Sequence, residues 1–239
     1  MSAQPQSALL IGATGATGRH VLRELCRTPT LHALESLDVA RWGRSTWPKE
    51  WQDGRWDVIL ITLGTTKANA GSAEKFEKID REYVINAAKA AKSTDPAHQQ
   101  RLVYLSSSGA NASSPFLYPK SKGLTEHGLA SLGYSDFIAF RPGFLKGAER
   151  DHSRIAESVF GFITGALSHV TSAAEIHIRL LITTWQTGGR SGPRIVNAGR
   201  LGTANLPVSA KASPVPAHEG TGAYTVIGNA GAIALSKEK

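Results

Sequence analysis

The chain has 239 residues, of which 41% are hydrophobic and 19% are charged, a mixture that excludes an intrinsically disordered protein. The single cysteine, Cys26, excludes an internal disulfide framework and a cysteine-based zinc site, and we expect it to be a small core residue. The net charge is +8, but the basic residues are scattered, which favours a mildly basic surface over a nucleic-acid-binding one. We expect no metal site, no nucleic-acid partner, no transmembrane segment and no secretory or matrix-type leader.

Apolar runs and amphipathic stretches alternate from residue 8 to residue 145, which predicts a doubly wound parallel α/β sheet of the Rossmann type. Strands are predicted at 8–11, around 37–41, and at 57–64, 101–105, 137–140 and 224–228. Helices are predicted at 17–27, 73–92, 119–132, 155–170 and 230–237. We predict a single domain over 1–239, with its core at 8–145, a substrate-side segment at 150–239, and mostly loop at 186–222.

A glycine motif lies between the first predicted strand and the first predicted helix, and consists of Gly12, Gly15 and Gly18 at three-residue spacing. In such a loop the first glycine permits a tight turn, the second lets the backbone approach a pyrophosphate, and the third lets the helix pack closely. The N–H groups at the helix start then face the diphosphate. The motif predicts dinucleotide binding, and we include Thr14 and Thr17 among the expected contacts.

The end of the second predicted strand indicates which dinucleotide is preferred. Arg41 closes this strand, with Arg44 and Arg19 available nearby, and a basic residue at this place suits the 2′-phosphate of NADP. Asp38 is the counter-argument, since a shifted strand end would place its carboxylate at the ribose and favour NAD. We therefore expect NADP(H), with NAD(H) as the alternative.

Tyr118 and Lys122 form a Tyr-x-x-x-Lys pair, and this spacing places two side chains on one face of a helix. A lysine ammonium stabilises a phenolate, so the phenol could exchange a proton with a carbonyl or alcohol oxygen while hydride passes to or from nicotinamide. Lys122 could also hold the ribose of the cofactor. Ser106 and Ser107 end a strand upstream, and we choose Ser107 as the donor to the substrate oxygen. Pro119 predicts that Tyr118 caps this helix rather than lying within it.

Several stretches, taken in order, resemble the atypical short-chain dehydrogenase/reductases related to the Tat-interacting oxidoreductase-like protein. They are 12–18, 63–66, 70–74, 78–80, 87–92, 106–110, 118–123 and 141–143. Within that group the chain looks most like fungal mitochondrial outer-membrane proteins. The resemblance implies an NADP-binding fold with a Ser–Tyr–Lys set and peripheral attachment at the cytosolic face of that membrane, although the sequence equally fits a cytoplasmic protein. It also adds Leu63, Gly64 and Thr65 to the expected cofactor contacts.

Two functions follow from these residues. The first is an NADPH-dependent oxidoreductase that acts on a small carbonyl or alcohol, with Ser107, Tyr118 and Lys122 as its catalytic residues. The second is a non-catalytic NADPH-binding regulatory or scaffold protein at the mitochondrial surface. The helix predicted at 155–170 is interpreted as core-facing, with docking to a membrane surface as the weaker alternative.

Overall fold

The computed structural model describes residues 6–27, 31–37, 56–143, 211, 213–217, 221–228 and 230–231, with 6 and 31–37 described as backbone only. Within these described residues seven strands form one sheet: β1 (Gln6–Ile11), β2 (Leu31–Leu37), β3 (Val58–Ile61), β4 (Arg101–Leu105), β5 (Asp136–Arg141), β6 (Ser213–Val215) and β7 (Tyr224–Gly228). Their order across the sheet is β2-β1-β3-β4-β5-β7-β6. All neighbours pair in parallel except β6, which runs antiparallel to β7. This is the predicted Rossmann-type parallel sheet, and that prediction is confirmed.

The described helices connect these strands. They are α1 (Gly18–Leu25), α2 (Lys67–Ala70), α3 (Ala73–Glu77), a π-helical segment (Lys78–Glu82), α4 (Tyr83–Ala91) and α5 (Leu117–Ala130). Thr66 caps α2 by accepting the Asn69 N–H, and Ser72 caps α3 by accepting the Lys75 N–H. Among these described helices, none is long and apolar enough to cross a membrane.

The hydrophobic core covers both faces of the sheet. On one face, alternate strand residues such as Leu9, Ile59 and Leu102 join one buried cluster with α4 and α5. The intervening strand residues are buried as well, and α1 packs on β1 and β2 through Val21 and Leu25, which lie outside that cluster. Burial on both faces explains why these strands have nearly continuous apolar sequences.

The π-helical segment changes which residues of the predicted helix 73–92 face the core. We expected an apolar stripe that included Phe76, Ile79 and Val84. Phe76 and Val84 are buried, but Ile79 is only half-buried and Asp80 is fully buried in its place. A π turn holds more residues than an α turn, so it rotates the residues that follow. The helix was predicted correctly, but the buried carboxylate within it was not.

Other element boundaries also differ from prediction. The second strand is Leu31–Leu37, earlier than the stretch around 37–41, and Arg41, Arg44 and Asp38 lie outside the described residues. Part of 186–222, which we expected to be mostly loop, forms β6. Pro214 is compatible with this strand because β6 lies at the edge of the sheet, where a missing N–H is tolerated. Cys26 is exposed at the end of α1 and is not a core residue. The predicted helices at 155–170 and 230–237 lie outside the described residues, apart from 230–231.

Candidate functional site

The sheet order places a crevice between β1 and β3. From β1 the chain moves outward to β2 and then returns to the other side of β1 as β3. In a doubly wound sheet, ligands bind outside the carboxyl ends of the strands at this point of reversal. The glycine motif follows β1, and Leu63 and Gly64 follow β3, so both flank this crevice.

The three loop glycines meet different surroundings. Gly12 has a φ of +90°, and a Cβ on it would lie 2.7 Å from the backbone nitrogen of Leu63. A Cβ on Gly18 would overlap the carbonyl oxygen of Gly12. A Cβ on Gly15 would lie 3.3 Å from that same oxygen and meet nothing else within 4 Å. The fold therefore requires Gly12 and Gly18, whereas Gly15 lies at an exposed tip.

The tip of this loop is open to solvent at the start of α1. Gly15 donates its N–H to the Gly12 carbonyl, at 3.1 Å, and this bond closes the turn. Thr14, Gly15 and Ala16 are exposed, and Thr17 precedes α1 without capping it through its side chain. An accessible, uncapped helix start attached to a tight glycine turn suits a diphosphate.

The Leu63–Gly64 peptide joins the glycine loop to the Tyr–Lys pair. Gly12 packs against the Leu63 backbone, and a Cβ on Gly64 would lie 3.4 Å from Lys122 Nζ and 3.2 Å from Asp80 Oδ1. Thr65 follows and donates its N–H to Asp80 Oδ1, at 3.2 Å. The backbone between the two motifs is therefore formed by the predicted cofactor contacts Leu63, Gly64 and Thr65.

Tyr118 lies within α5 and does not cap it, contrary to our expectation. The N-cap is Phe116, and Pro119 is the third residue of the helix, where a missing N–H costs no helical hydrogen bond. Tyr118 and Lys122 therefore keep a true helical i, i+4 relationship. Tyr118 is half-buried, its ring lies 6.1 Å from that of Phe76, and Lys122 Nζ is 5.8 Å from its ring centroid.

Lys122 is buried in a pocket of polar groups beneath that ring. Its Nζ donates to Tyr104 Oη at 2.9 Å and lies 3.2 Å from Asp80 Oδ1. Burial opposes its charge, but Tyr104, Asp80 and Tyr118 outweigh this effect, and the pKa of Lys122 is raised above its ordinary value. Burial has the opposite effect on a phenol and raises the pKa of Tyr104, so Tyr104 is neutral at physiological pH.

The two candidate serines have different surroundings. Ser106 donates its hydroxyl to Glu126, a fully buried carboxylate on α5. Glu126 also accepts hydrogen bonds from Arg141 on β5 and Tyr224 on β7, so this cluster holds β7 to the core. Ser107 is buried in the turn after β4, where its carbonyl accepts the Ala110 N–H. Ser106 is thus part of a structural network, which leaves Ser107 as the better candidate.

The structure brings the glycine loop, residues 63–65 and Lys122 together, while Arg41 lies outside the described residues. Sequence reasoning missed Asp80, Tyr104 and Glu126. Asp80 belongs to the stretch 78–80 that carried the family resemblance, which was the only signal for it. Tyr104 and Glu126 had no signal in the sequence. Tyrosine is common in strands and glutamate is common on exposed helix faces, so neither residue type marks a buried polar site.

Solved structures share this architecture. A dTDP-4-dehydrorhamnose reductase from Yersinia enterocolitica is 18% identical, with a TM-score of 0.54 over 76% of this chain and 71% of its own. A short-chain dehydrogenase/reductase from Saccharomyces cerevisiae is 12% identical, with a TM-score of 0.50 over 74% of this chain and 90% of its own. At such identities the likeness concerns the fold alone. The chain has the Rossmann-type fold found in short-chain dehydrogenase/reductases.

A relative found by sequence is more similar to this chain than these solved structures are. Protein FMP52, mitochondrial, from Candida albicans is 35% identical over 170 residues, which span 64% of this chain and 73% of the relative. The chain matches none of the protein-family models. On the strength of this relative, the chain belongs to the FMP52 family.

Proposed function

We propose that this protein binds a nicotinamide dinucleotide, with NADP(H) preferred over NAD(H), and reduces a small carbonyl substrate. The continuous path from Gly15 over Leu63 and Gly64 to Lys122 carries this proposal. At Gly15 the missing side chain leaves room for a ligand to lie against the backbone, whereas at Gly64 it makes room for the buried Asp80–Lys122 pair. The path begins at a helix start that suits a diphosphate and ends at an ammonium that suits ribose hydroxyls.

The residues at the end of the path fit the chemistry of carbonyl reduction. When bound, NADPH would supply the hydride for the carbonyl carbon and would leave as NADP⁺. Tyr118 donates its phenolic proton to the carbonyl oxygen, which completes the alcohol and leaves a Tyr118 phenolate that then takes a proton from solvent. Lys122 stabilises that phenolate from beneath the ring, where its Nζ lies 5.8 Å from the ring centroid. Ser107 donates a hydrogen bond to the same substrate oxygen.

A thermal-shift titration with NADPH and NADH side by side tests the proposal. A ligand that binds only the folded state at one hundred times its Kd adds about 2.7 kcal/mol to the free energy of unfolding. We expect NADPH to stabilise the protein more than NADH does, and Arg41→Ala to remove that difference while leaving the NADH response unchanged. No shift with either cofactor would overturn the proposal.

A panel of small aldehydes and ketones, followed by NADPH absorbance, then separates catalysis from binding. Turnover supports the reductase. Tight NADPH binding without turnover across the panel would instead favour a regulatory or scaffold role. We also propose that the protein acts at mitochondria, the location that the name of its Candida albicans relative gives for that protein. Attachment to the cytosolic face of the outer membrane is the finer proposal, and fractionation with protease protection tests it.

A further inference from the structure

We infer that Asp80 is a positioning residue of the site, which holds the Lys122 ammonium in place beneath the Tyr118 ring. The inference rests on the proposed function only for its effect on cofactor binding. The ion pair itself is a property of the folded chain and is tested separately below.

The placement of Asp80 carries the first part of the inference. Asp80 lies in the π-helical segment and is fully buried, with Oδ1 3.2 Å from Lys122 Nζ. The same oxygen accepts the Thr65 N–H, also at 3.2 Å. A carboxylate is rarely this deeply buried without a partner, because its desolvation is costly. The π turn is the local irregularity that places it there, and such turns occur frequently at functional sites.

Asp80 and Lys122 depend on one another. Asp80 Oδ2 has no hydrogen-bond partner among the described residues, so Lys122 is the one cation paired with this carboxylate in that part of the chain. Lys122 Nζ in turn has Tyr104 Oη at 2.9 Å as a neutral second partner. Among the described residues, the charged and titratable groups facing Lys122 are Asp80 from the π-helical segment, Tyr104 from β4 and Tyr118 from α5.

The position of the pair connects it to the cofactor path. Gly64 lies directly over it, since a Cβ there would approach both Asp80 Oδ1 and Lys122 Nζ. Thr65, the next residue, is tied to the same carboxylate. Asp80 thus fixes both the ammonium and the end of the backbone over which the cofactor would lie. A mobile lysine would lose this alignment, and small displacements of positioned groups are costly to binding and rate.

The first experiment follows unfolding by urea at pH 7 and at pH 9.5 for wild type and Asp80→Asn. In Asp80→Asn, Lys122 keeps the neutral Tyr104 phenol as a partner but loses the carboxylate, so burial is expected to bring its pKa below that of the unfolded chain. The unfolded state then binds more protons between those two pKa values, so the variant gains stability as pH rises through them. We expect the stability deficit of Asp80→Asn to shrink at pH 9.5, and to show no such change when Lys122→Met is also present. An equal deficit at both pH values would overturn the inference.

The second experiment measures NADPH affinity for the same variants at both pH values. We expect Asp80→Asn to bind NADPH about tenfold more weakly, the scale of one charge-assisted hydrogen bond, with a larger loss at pH 9.5. Asp80→Glu should recover part of the affinity. The matched control is Asp136→Asn, which removes a buried carboxylate paired at 2.6 Å with Arg101 at the amino-terminal ends of β4 and β5. It should lose stability and keep its affinity for NADPH.

The outcomes separate the two proposals. If wild type binds neither NADPH nor NADH, the proposed function fails, and the pH dependence of unfolding still decides whether Asp80 holds Lys122. If wild type binds NADPH and Asp80→Asn binds it equally well at both pH values, Asp80 is structural only and the inference fails.

Discussion

Gly18 packs directly against the carbonyl of Gly12, so closely that a side chain on Gly18 would overlap that oxygen. Thr62 on the other side tightens the fit, because its Oγ1 donates to the same carbonyl at 3.1 Å and would lie 2.8 Å from a Cβ on Gly18. This contact fixes the start of α1 against the ends of β1 and β3. The fold itself therefore requires glycine at position 18, whether or not a ligand binds nearby.

Substitutions of the loop glycines should therefore have different effects, on stability at Gly18 and on cofactor binding at Gly15. We expect Gly18→Ala to lose about 1–3 kcal/mol in the free energy of unfolding, the usual cost of overpacking, and more where backbone atoms cannot yield. Gly15→Ala should remain within about 1 kcal/mol of wild type but weaken NADPH binding by at least about tenfold, because its side chain would occupy the space of the pyrophosphate. Urea unfolding and NADPH titration measure the two effects.

Gly109→Ala is the control for that pair, since a Cβ on Gly109 meets nothing within 4 Å. It should change neither quantity. If Gly15→Ala bound NADPH as tightly as wild type, the diphosphate would not lie over this loop.

Tyr118 should matter for turnover and not for cofactor binding. Tyr118→Phe removes the proton donor but keeps the ring that packs against Phe76 at 6.1 Å. General acid catalysis typically contributes about 10²–10⁴-fold, so we expect the rate on an active carbonyl substrate to fall by that factor. NADPH affinity should stay within about twofold of wild type. Turnover equal to that of wild type would show that another group protonates the substrate.

The sequence predicted the sheet because buried parallel strands are continuously apolar and are separated by amphipathic helices. β1, β4, β5 and β7 match their predicted positions to within two residues at either end. The glycine motif was also readable, since its spacing reflects backbone contacts that only glycine permits, as at Gly12 and Gly18.

The polar interior of the site was less predictable, for identifiable physical reasons. Asp80 becomes buried through a π turn, and neither residue propensity nor periodicity signals that extra residue. Glu126 and Ser106 meet only when α5 packs on the end of β4, which is a tertiary contact. The start of α5 was misplaced because the rule for residues preceding proline is a tendency, and at Tyr118 the first helical turn overrides it.

Ser106 and Ser107 should behave oppositely when each is changed to alanine. Ser106→Ala leaves buried Glu126 without one of its donors, and we expect a loss of about 1–3 kcal/mol in the free energy of unfolding. Ser107→Ala should unfold as wild type does and reduce turnover, because its hydroxyl is proposed to hydrogen-bond the substrate oxygen. Paired unfolding and rate measurements on both variants decide this. The reverse pattern would make Ser106 the substrate-facing serine.

Tyr224, which ties β7 to Glu126, should make the free energy of unfolding depend on pH in the alkaline range. Burial, with the neighbouring Glu126 carboxylate, raises the pKa of Tyr224 to about 12. The unfolded tyrosine loses its proton near a pKa of about 10, so between these values the folded state binds more protons than the unfolded state. The stability that this provides is complete below pH 10 and is lost as the pH rises towards 12.

Tyr224→Phe should therefore lose stability at neutral pH, because Glu126 loses a hydrogen-bond donor, yet decline less steeply than wild type over that alkaline range. Unfolding by urea at intervals across this range measures the slope. Parallel slopes for the two proteins would show that Tyr224 titrates no differently in the folded chain than in the unfolded one.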